Sequence, residues 1–373
     1  MKIAVDLRSL QSGTVSGVEN YTRNLVENLL IQDKLNSYKL FYNGFKPLSL
    51  EEFRFINAEV IRGRKPNKLL NLGLKLNFFN FTGLVGDFDV LFMPNLNTVN
   101  LNLESKLAIT VHDMSPIIAP EFYDMKRRLW HKFLNIKKIL SRADIIFTVS
   151  NYTKQDILRL YNINEDKIKV IYPGVDPQVF YPDIPISALR RARNVYTLPG
   201  EFFLFLNTLE PRKNLIGVIE AFEQIQSRAH LVIAGKKGWK TAPILRRIKN
   251  SAKKDRIHYL GYLKEEDKPA ILKMAKALIY PSFYEGFGFQ PLEAMAVGTP
   301  VIASQITALP EVVGDAGLLV NPYNTRDLVK AMGELGRNEI LREFLIKKGL
   351  ERVRQFDWKI TASQTLSGLE SLM

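Results

Sequence analysis

Short runs of apolar, β-prone residues recur along the whole chain, each followed by a stretch with helical periodicity. In the first half they are Lys2–Asp6, Tyr38–Tyr42, Asp89–Met93, Leu107–Val111, Asp144–Val149 and Ile168–Ile171. In the second half they are Phe202–Leu206, Leu231–Ala234, Ile257–Leu260, Leu278–Tyr280, Val301–Ala303 and Leu318–Val320. Most are unbroken apolar runs, not apolar/polar alternations. A strand is apolar on both sides when both sides are covered, which is the situation of a parallel sheet flanked by helices. At 373 residues the chain is too long for one ordinary domain. The pattern predicts an α/β protein of two doubly wound domains.

The boundary between them is marked by proline. Pro173, Pro177, Pro182 and Pro185, with Gly174, fall within thirteen residues. That density suits a stiff connector and not a central strand. The expected division is 1–172, a linker over 173–185, and 186–357. In the last segment, 358–373, Trp358, Ala362, Leu366 and Leu369 recur at helical spacing, which fits packing on either domain.

Charge narrows the partners without choosing one. Lys and Arg number 52 against 38 acids, a net +14. The excess is spread: 24 basic and 18 acidic residues through position 180, then 28 and 20. Such a balance favours anionic partners, whether nucleic acid, acidic lipid or phosphate-bearing substrates. The chain has no cysteine, which excludes disulfides, thiol nucleophiles and thiolate metal sites. No apolar stretch reaches the roughly 18–20 residues that span a bilayer. Asp6 and Arg8 interrupt the first apolar run too early for a signal-peptide core. The expectation is a cytoplasmic protein, with contact at the inner membrane surface left open.

Ligands of open α/β sheets sit beyond the C-terminal ends of the strands, so four strand-to-helix junctions hold the candidate chemistry. Gly13 and Gly17 flank the first, where backbone can approach a ligand and a helix start offers free N–H groups to an anion; a plain flexible turn fits equally. In the second, His112 and Asp113 end a buried strand, and His112 can donate to a hydroxyl or move a proton, although a structural histidine would look the same. The third, Glu210-Pro-Arg-Lys-Asn214, offers Arg212 and Lys213 to a phosphate, or simply an exposed basic turn. The fourth runs from Pro281 to Ala296. It carries Glu285 in a glycine-containing loop and Glu293 in what the sequence suggests is a first helical turn opened by Pro291. Loop amides hold anions and carboxylates accept from hydroxyls, so the ligand that fits is a sugar nucleotide. His131, His230 and His258 do not join His112 in metal-ligand spacing, and no metal site is expected.

The string Glu285-Gly-Phe-Gly-Phe-Gln-Pro-Leu-Glu293 resembles the E-x7-E signature of glycosyltransferase family 4. The resemblance extends through Ser16-Gly-Val-Glu19, Val111-His-Asp113, Val149-Ser-Asn151, Tyr172-Pro-Gly-Val-Asp176, Pro211-Arg-Lys-Asn214, Val232-Ile-Ala-Gly235, Gly298-Thr-Pro300 and Leu309-Pro-Glu-Val312. Thr208–Asn214 and Ala234–Trp239 are similar to a mannosyltransferase-like subgroup of bacterial surface polysaccharide synthesis. The resemblance implies the GT-B architecture: two Rossmann-like domains across a cleft, the acceptor mainly on the first, the donor on the second, and 358–373 packed back on the first. It also implies hexose transfer from an NDP-sugar, GDP- or UDP-linked, with retained anomeric configuration, no metal and no further cofactor.

Roles follow by position. The resemblance implies that Lys213 and Arg212 meet the donor diphosphate, that Glu285 and His112 meet the transferred sugar, and that Glu293 meets the ribose. It implies that Gly286, Phe287, Gly288 and Phe289 hold sugar and phosphate through their amides, and that Gly13 and Gly17 close over the phosphates. Family members often carry arginine where this chain has Thr208, so more falls to Lys213 and less is settled for Arg212. The acceptor is expected to be a saccharide or a lipid-linked saccharide. Two basic stretches, Arg62–Lys68 and Lys126–Lys138, suit an anionic membrane surface. In the second, Leu129, Phe133, Ile136 and Leu140 share a helical face and are expected to be core. Two rivals stand beside this: a sugar-nucleotide epimerase of the same two-domain plan, and a non-catalytic protein that binds nucleotide-sugar or an anionic surface. Charge alone also raises nucleic acid, but no RNA or DNA module is visible, and none is expected as a partner.

Overall fold

Thirteen strands build two parallel sheets in the computed structural model, which describes residues 1–11, 17–102 and 104–373. The first sheet contains β1 (Lys2–Asp6), β2 (Ser37–Asn43), β3 (Ala58–Gly63), β4 (Val90–Met93), β5 (Lys106–Val111), β6 (Ile145–Thr148) and β7 (Ile168–Val170). Its spatial order is β3-β2-β1-β4-β5-β6-β7. The second contains β8 (Phe202–Leu206), β9 (His230–Ala234), β10 (Ile257–Gly261), β11 (Ala277–Tyr280), β12 (Val301–Ser304) and β13 (Leu318–Val320), in the order β10-β9-β8-β11-β12-β13. The strand order reverses between β1 and β4, and again between β8 and β11. A crevice opens at such switch points.

The unbroken apolar runs are the inner strands. Every residue of β4, β6, β8, β11 and β12 is buried. The strand absent from the sequence expectation is β3. It lies at the sheet edge, mixes Glu59 and Arg62 with apolar residues, and is nowhere fully buried. An edge strand loses the both-faces-covered condition, and with it the apolar signature.

The chain divides into two units. The first comprises residues 1–114, 126–174 and 357–373; the second, 115–125 and 175–356. The helix Trp358–Glu370 lies in the first unit, capped by the Asp357 carboxylate on the Lys359 N–H. Gly174 meets its start so closely that a Cβ there would stand 2.2 Å from the Trp358 nitrogen. Thr361 Oγ1 donates to Tyr172 O at 2.8 Å.

One boundary needs correction. Residues 115–125, expected in the first domain, pack with the second. There Trp239 Nε1 donates to Phe122 O at 2.5 Å, Tyr123 stacks on Trp239 at 5.4 Å, and Phe122 stacks on Phe283 at 5.7 Å. The aromatic pairs draw the segment out of its sequence context.

The long basic helix is also corrected. Asn135, with φ 56°, breaks it into Met125–Leu134 and Ile136–Arg142. Ile136 and Leu140 are core, but Leu129 is 59% exposed and Phe133 only partly buried. Leu134 is the buried residue of the first piece.

Candidate active site

The second unit's switch point gathers four charges. β8 ends at Leu206, and the chain passes through Glu210 into a tight 3-10 turn, Pro211–Lys213. Asn214 then adopts φ 57°, ψ 35°, and its side chain caps the helix Leu215–Gln224 by accepting from the Gly217 N–H. That left-handed residue, tolerated by asparagine, directs Arg212 and Lys213 toward the neighbouring strand end. There β11 stops at Tyr280 and its loop brings up Glu285. Lys213 Nζ lies 2.5 Å from Glu285 Oε1, and Arg212 Nη1 lies 3.2 Å from Oε2. Arg212 Nη1 also donates to Tyr284 O at 2.7 Å, while its Nε donates to Glu210 Oε1 at 3.0 Å. The Phe283 N–H returns to Arg212 O at 2.8 Å, tying the two loops together.

All of this is buried: Lys213 and Glu285 are each 6% exposed and Glu210 is 2%. Burial would raise the Glu285 carboxyl, but Lys213 and then Arg212 override it and hold it down to about 2. Burial wins at Glu210, which is raised despite Arg212 and Lys213. Burial and Arg212 lower Lys213, and the two carboxylates oppose them. Breaking a buried pair of this kind typically costs about 3–5 kcal/mol, so the cluster holds its own geometry. The exposed basic turn that the sequence equally allowed does not survive: Lys213, like Glu285, is buried. Arg212, whose part the sequence left less certain than that of Lys213, reaches the same carboxylate.

Glu293 is buried at 5% exposure, and its Oε2 has no partner among the described residues. Burial raises its pKa, against a lowering pull from Lys268. The helix bearing it runs Phe289–Ala296, two residues earlier than expected. Pro291 is therefore the third helical residue and Glu293 lies in the second turn. A proline is tolerated there because the first four helical N–H groups have no intrahelical partner. The position also removes the ordinary explanation of Glu293 as a charge serving the helix dipole, which acts on the first turn. Gly286, Phe287 and Gly288 are buried and Phe289 is partly buried. Gly288 has φ 120°, and a Cβ on it would stand 2.7 Å from Leu309 Cδ2. Only glycine fits that bend.

The remaining predicted residues lie in the first unit. His112 follows β5, and its Nε2 donates to Pro94 O at 2.9 Å. Burial lowers its pKa, opposed by that bond and by Asp113. With Nε2 donating to Pro94 O, the neutral ring presents Nδ1 as an acceptor, so of the roles the sequence allowed, donation to a hydroxyl is the one this tautomer does not supply. Tyr21 meets it edge-on at 4.7 Å. Gly17 begins the helix Gly17–Gln32; Gly13 lies outside the described residues. Sequence reasoning named Lys213, Arg212 and Glu285 but missed Glu210 as the residue that orients Arg212. Its place two residues before Arg212 in a strand-to-helix turn was the available signal. Among the described residues no three His, Asp or Glu side chains gather as metal ligands.

Residues 15–179 match the family described as Glycosyltransferase Family 4, and residues 189–352 match Glycosyl transferases group 1. An O-antigen chain mannosyltransferase B of Escherichia coli is 28% identical over 379 residues, covering 96% of this chain and 97% of its own. The serotype-specific mannosyltransferase WbdA of Escherichia coli is 28% identical over 278 residues, 73% of this chain but 34% of WbdA; the chain spans about a third of that relative. Among solved structures, a sucrose-phosphate synthase from Thermosynechococcus elongatus has a TM-score of 0.78 at 21% identity, covering 100% of this chain and 98% of its own. Anabaena HepE in complex with UDP-glucose has a TM-score of 0.77 at 18% identity, with 100% of both chains covered. At those identities the likeness concerns the fold.

Proposed function

The chain belongs to glycosyltransferase family 4 and has the GT-B fold, and from that premise we propose that it transfers a hexose from an NDP-sugar in cell-surface polysaccharide synthesis. The acceptor is a saccharide or a lipid-linked saccharide. The observation that carries this reading is the convergence of Lys213 and Arg212 on Glu285 at the β8/β11 switch point, beside a loop of buried glycines. The matched families are glycosyltransferases, which sets aside the epimerase and the non-catalytic binder. The relatives named as mannosyltransferases make mannose the first sugar to test, on GDP or UDP.

The residues divide the work. Lys213 and Arg212 stabilise charge developing on the leaving diphosphate, which preorganised cations do most effectively in a water-poor site. Glu293, buried and short of a donor, accepts from the ribose hydroxyls. Glu285 faces the transferred sugar, and His112 offers Nδ1 to a sugar hydroxyl. The amides of Gly286–Phe289 hold sugar and phosphate. The acceptor hydroxyl attacks from the face that the diphosphate leaves, so configuration is retained. Its proton passes to a leaving phosphate oxygen. We assign no metal to this step.

Two stretches of the first unit support work at an anionic cytoplasmic membrane face. The helix Asn67–Lys75 and the residues after it expose Leu69, Leu72, Leu76 and Phe78, the last at 80%. The helix Met125–Leu134 exposes Leu129 and Trp130 among Lys126, Arg127, Arg128 and Lys132. Lys75 donates to Phe133 O, joining the two stretches. Apolar side chains with flanking cations suit a headgroup boundary, where each Lys or Arg adds about 1 kcal/mol. No helix among the described residues is long and apolar enough to cross a membrane.

The donor is tested by thermal shift over GDP-, UDP-, ADP- and dTDP-sugars, since a ligand of the folded state raises the melting temperature. Stabilisation by GDP-mannose or a UDP-hexose is expected; no shift with any of them contradicts the reading. Membrane contact is tested by sedimentation with anionic vesicles. Wild type should pellet at low salt and be released as salt rises, and Ser at Lys68, Lys126, Arg128 and Lys132 should weaken the binding. Wild type remaining in the supernatant at low salt would place the acceptor in solution.

A further inference from the structure

The anion seat is already filled by the protein itself. Its two cations, Lys213 and Arg212, face two carboxylates, Glu210 and Glu285, in a buried cluster with no net charge. Glu210 and Glu285 are not equivalent there. Glu210 lies in the same tight turn as Arg212 and holds the guanidinium from behind. Glu285 comes from the other loop and takes the face that Lys213 and Arg212 present together, at 2.5 and 3.2 Å. That shared face is where a diphosphate would sit.

We propose that Glu285 is an internal competitor of the diphosphate, occupying its seat in the empty enzyme and leaving it only for a ligand that brings a sugar. The inference rests on the reading of this unit as the donor site. A phosphate entering the seat meets cations that are already neutralised and a carboxylate that repels it. To bind, it must displace the Glu285 side chain. A displaced buried carboxylate needs new hydrogen-bond donors, because a buried charge without them is strongly disfavoured. Inorganic phosphate and a bare nucleoside diphosphate bring none to that place. A hexose on the β-phosphate brings several hydroxyls. The seat thereby discriminates a sugar-bearing diphosphate from the spent nucleotide and from ambient anions, and it helps to expel the product once the sugar has gone.

The backbone permits the switch without loop movement. The Glu285 N–H donates to Thr307 Oγ1 at 3.2 Å, and its carbonyl accepts from the Ala308 N–H at 3.4 Å. The main chain is held on both sides, so in this proposal the seat opens by rotation of the Glu285 side chain and not by movement of its loop.

Calorimetry on Glu285→Gln and wild type, with GDP against GDP-mannose and UDP against UDP-glucose, tests this. Wild type should bind the sugar-bearing partner of one pair more tightly than the bare nucleotide. In Glu285→Gln, which keeps the shape but removes the charge, the bare nucleotide should bind roughly tenfold tighter and the sugar preference should collapse. Unchanged or weaker binding of the bare nucleotide by a natively folded variant overturns the proposal while leaving the donor site intact. Wild type that binds neither member of either pair overturns the donor site itself. A measurement independent of the variant's folding is competition by inorganic phosphate. It should not displace the nucleotide-sugar from wild type at concentrations where Glu285→Gln yields to it; displacement from wild type at low phosphate overturns the proposal.

Discussion

Replacing Glu293 by Gln should make the empty protein more stable and its nucleotide binding weaker. Glu293 is 5% exposed, with Oε2 unpartnered among the described residues. A buried polar group in that condition costs about 1–3 kcal/mol, and removing its charge should return about 1–2 kcal/mol of that. For a domain of this size each kcal/mol moves the melting temperature by about 2–4 °C, so a rise of roughly 2–8 °C is expected at pH 8. The pH dependence fixes the cause. Burial raises the Glu293 pKa, so its ionised form is penalised above that raised value. A group raised in this way contributes stability that is present below its unfolded pKa, about 4.3, and lost as pH rises through the folded one. The gap between variant and wild type should therefore close as pH falls from 8 toward the ordinary carboxylate range. Calorimetry on the same pair should show nucleotide affinity reduced about 10- to 100-fold, the loss of a charge-assisted bond. A variant that melts at or below wild type at pH 8, or a gap that ignores pH, would refute the argument.

Three further outcomes follow from particular contacts. Lys213→Ala should weaken binding of the nucleotide-sugar by about 1.5–3 kcal/mol, the worth of a hydrogen bond to a charged group; unchanged affinity by calorimetry would remove the lysine from the diphosphate. Gly288→Ala should lower stability by about 1–3 kcal/mol because φ is 120° and the added Cβ meets Leu309, and a melting curve superimposable on wild type would show the bend to be relaxed. Trp239→Ala should loosen residues 115–125 by removing the Tyr123 stack and the bond to Phe122 O. That should speed hydrogen exchange there while β8–β13 keep their protection, and equal exchange rates would show that the segment is held by other contacts.

The sheets were legible because burial leaves its mark on composition. β4, β6, β8, β11 and β12 are continuous apolar runs for the physical reason that helices cover both their faces. β3 was not legible because an edge strand with Glu59 and Arg62 has no such requirement. At the site, residue identity was readable while pairing was not. The sequence presents Lys213 and Glu285 as two attractive groups for a ligand; that they satisfy each other depends on β8 and β11 being neighbours, a fact of topology. The left-handed Asn214 that aims the two cations is visible only once φ is known. Leu129 was misjudged because helical spacing identifies which residues share a face, not whether anything covers it. The place of 115–125 was hidden for a similar reason: its aromatic partners, Trp239 and Phe283, are more than a hundred residues away in the chain.

The most direct test is the stereochemistry of transfer. The protein would be incubated with the nucleotide-sugar that stabilises it and a saccharide or lipid-linked saccharide acceptor, and the new glycosidic linkage followed by NMR. The account predicts a glycoside with the donor's anomeric configuration, release of the nucleoside diphosphate in equal amount, and loss of both in Lys213→Ala. A product of inverted configuration would contradict the same-face mechanism. Conversion of the donor into an isomeric sugar with no acceptor consumed would contradict transfer itself.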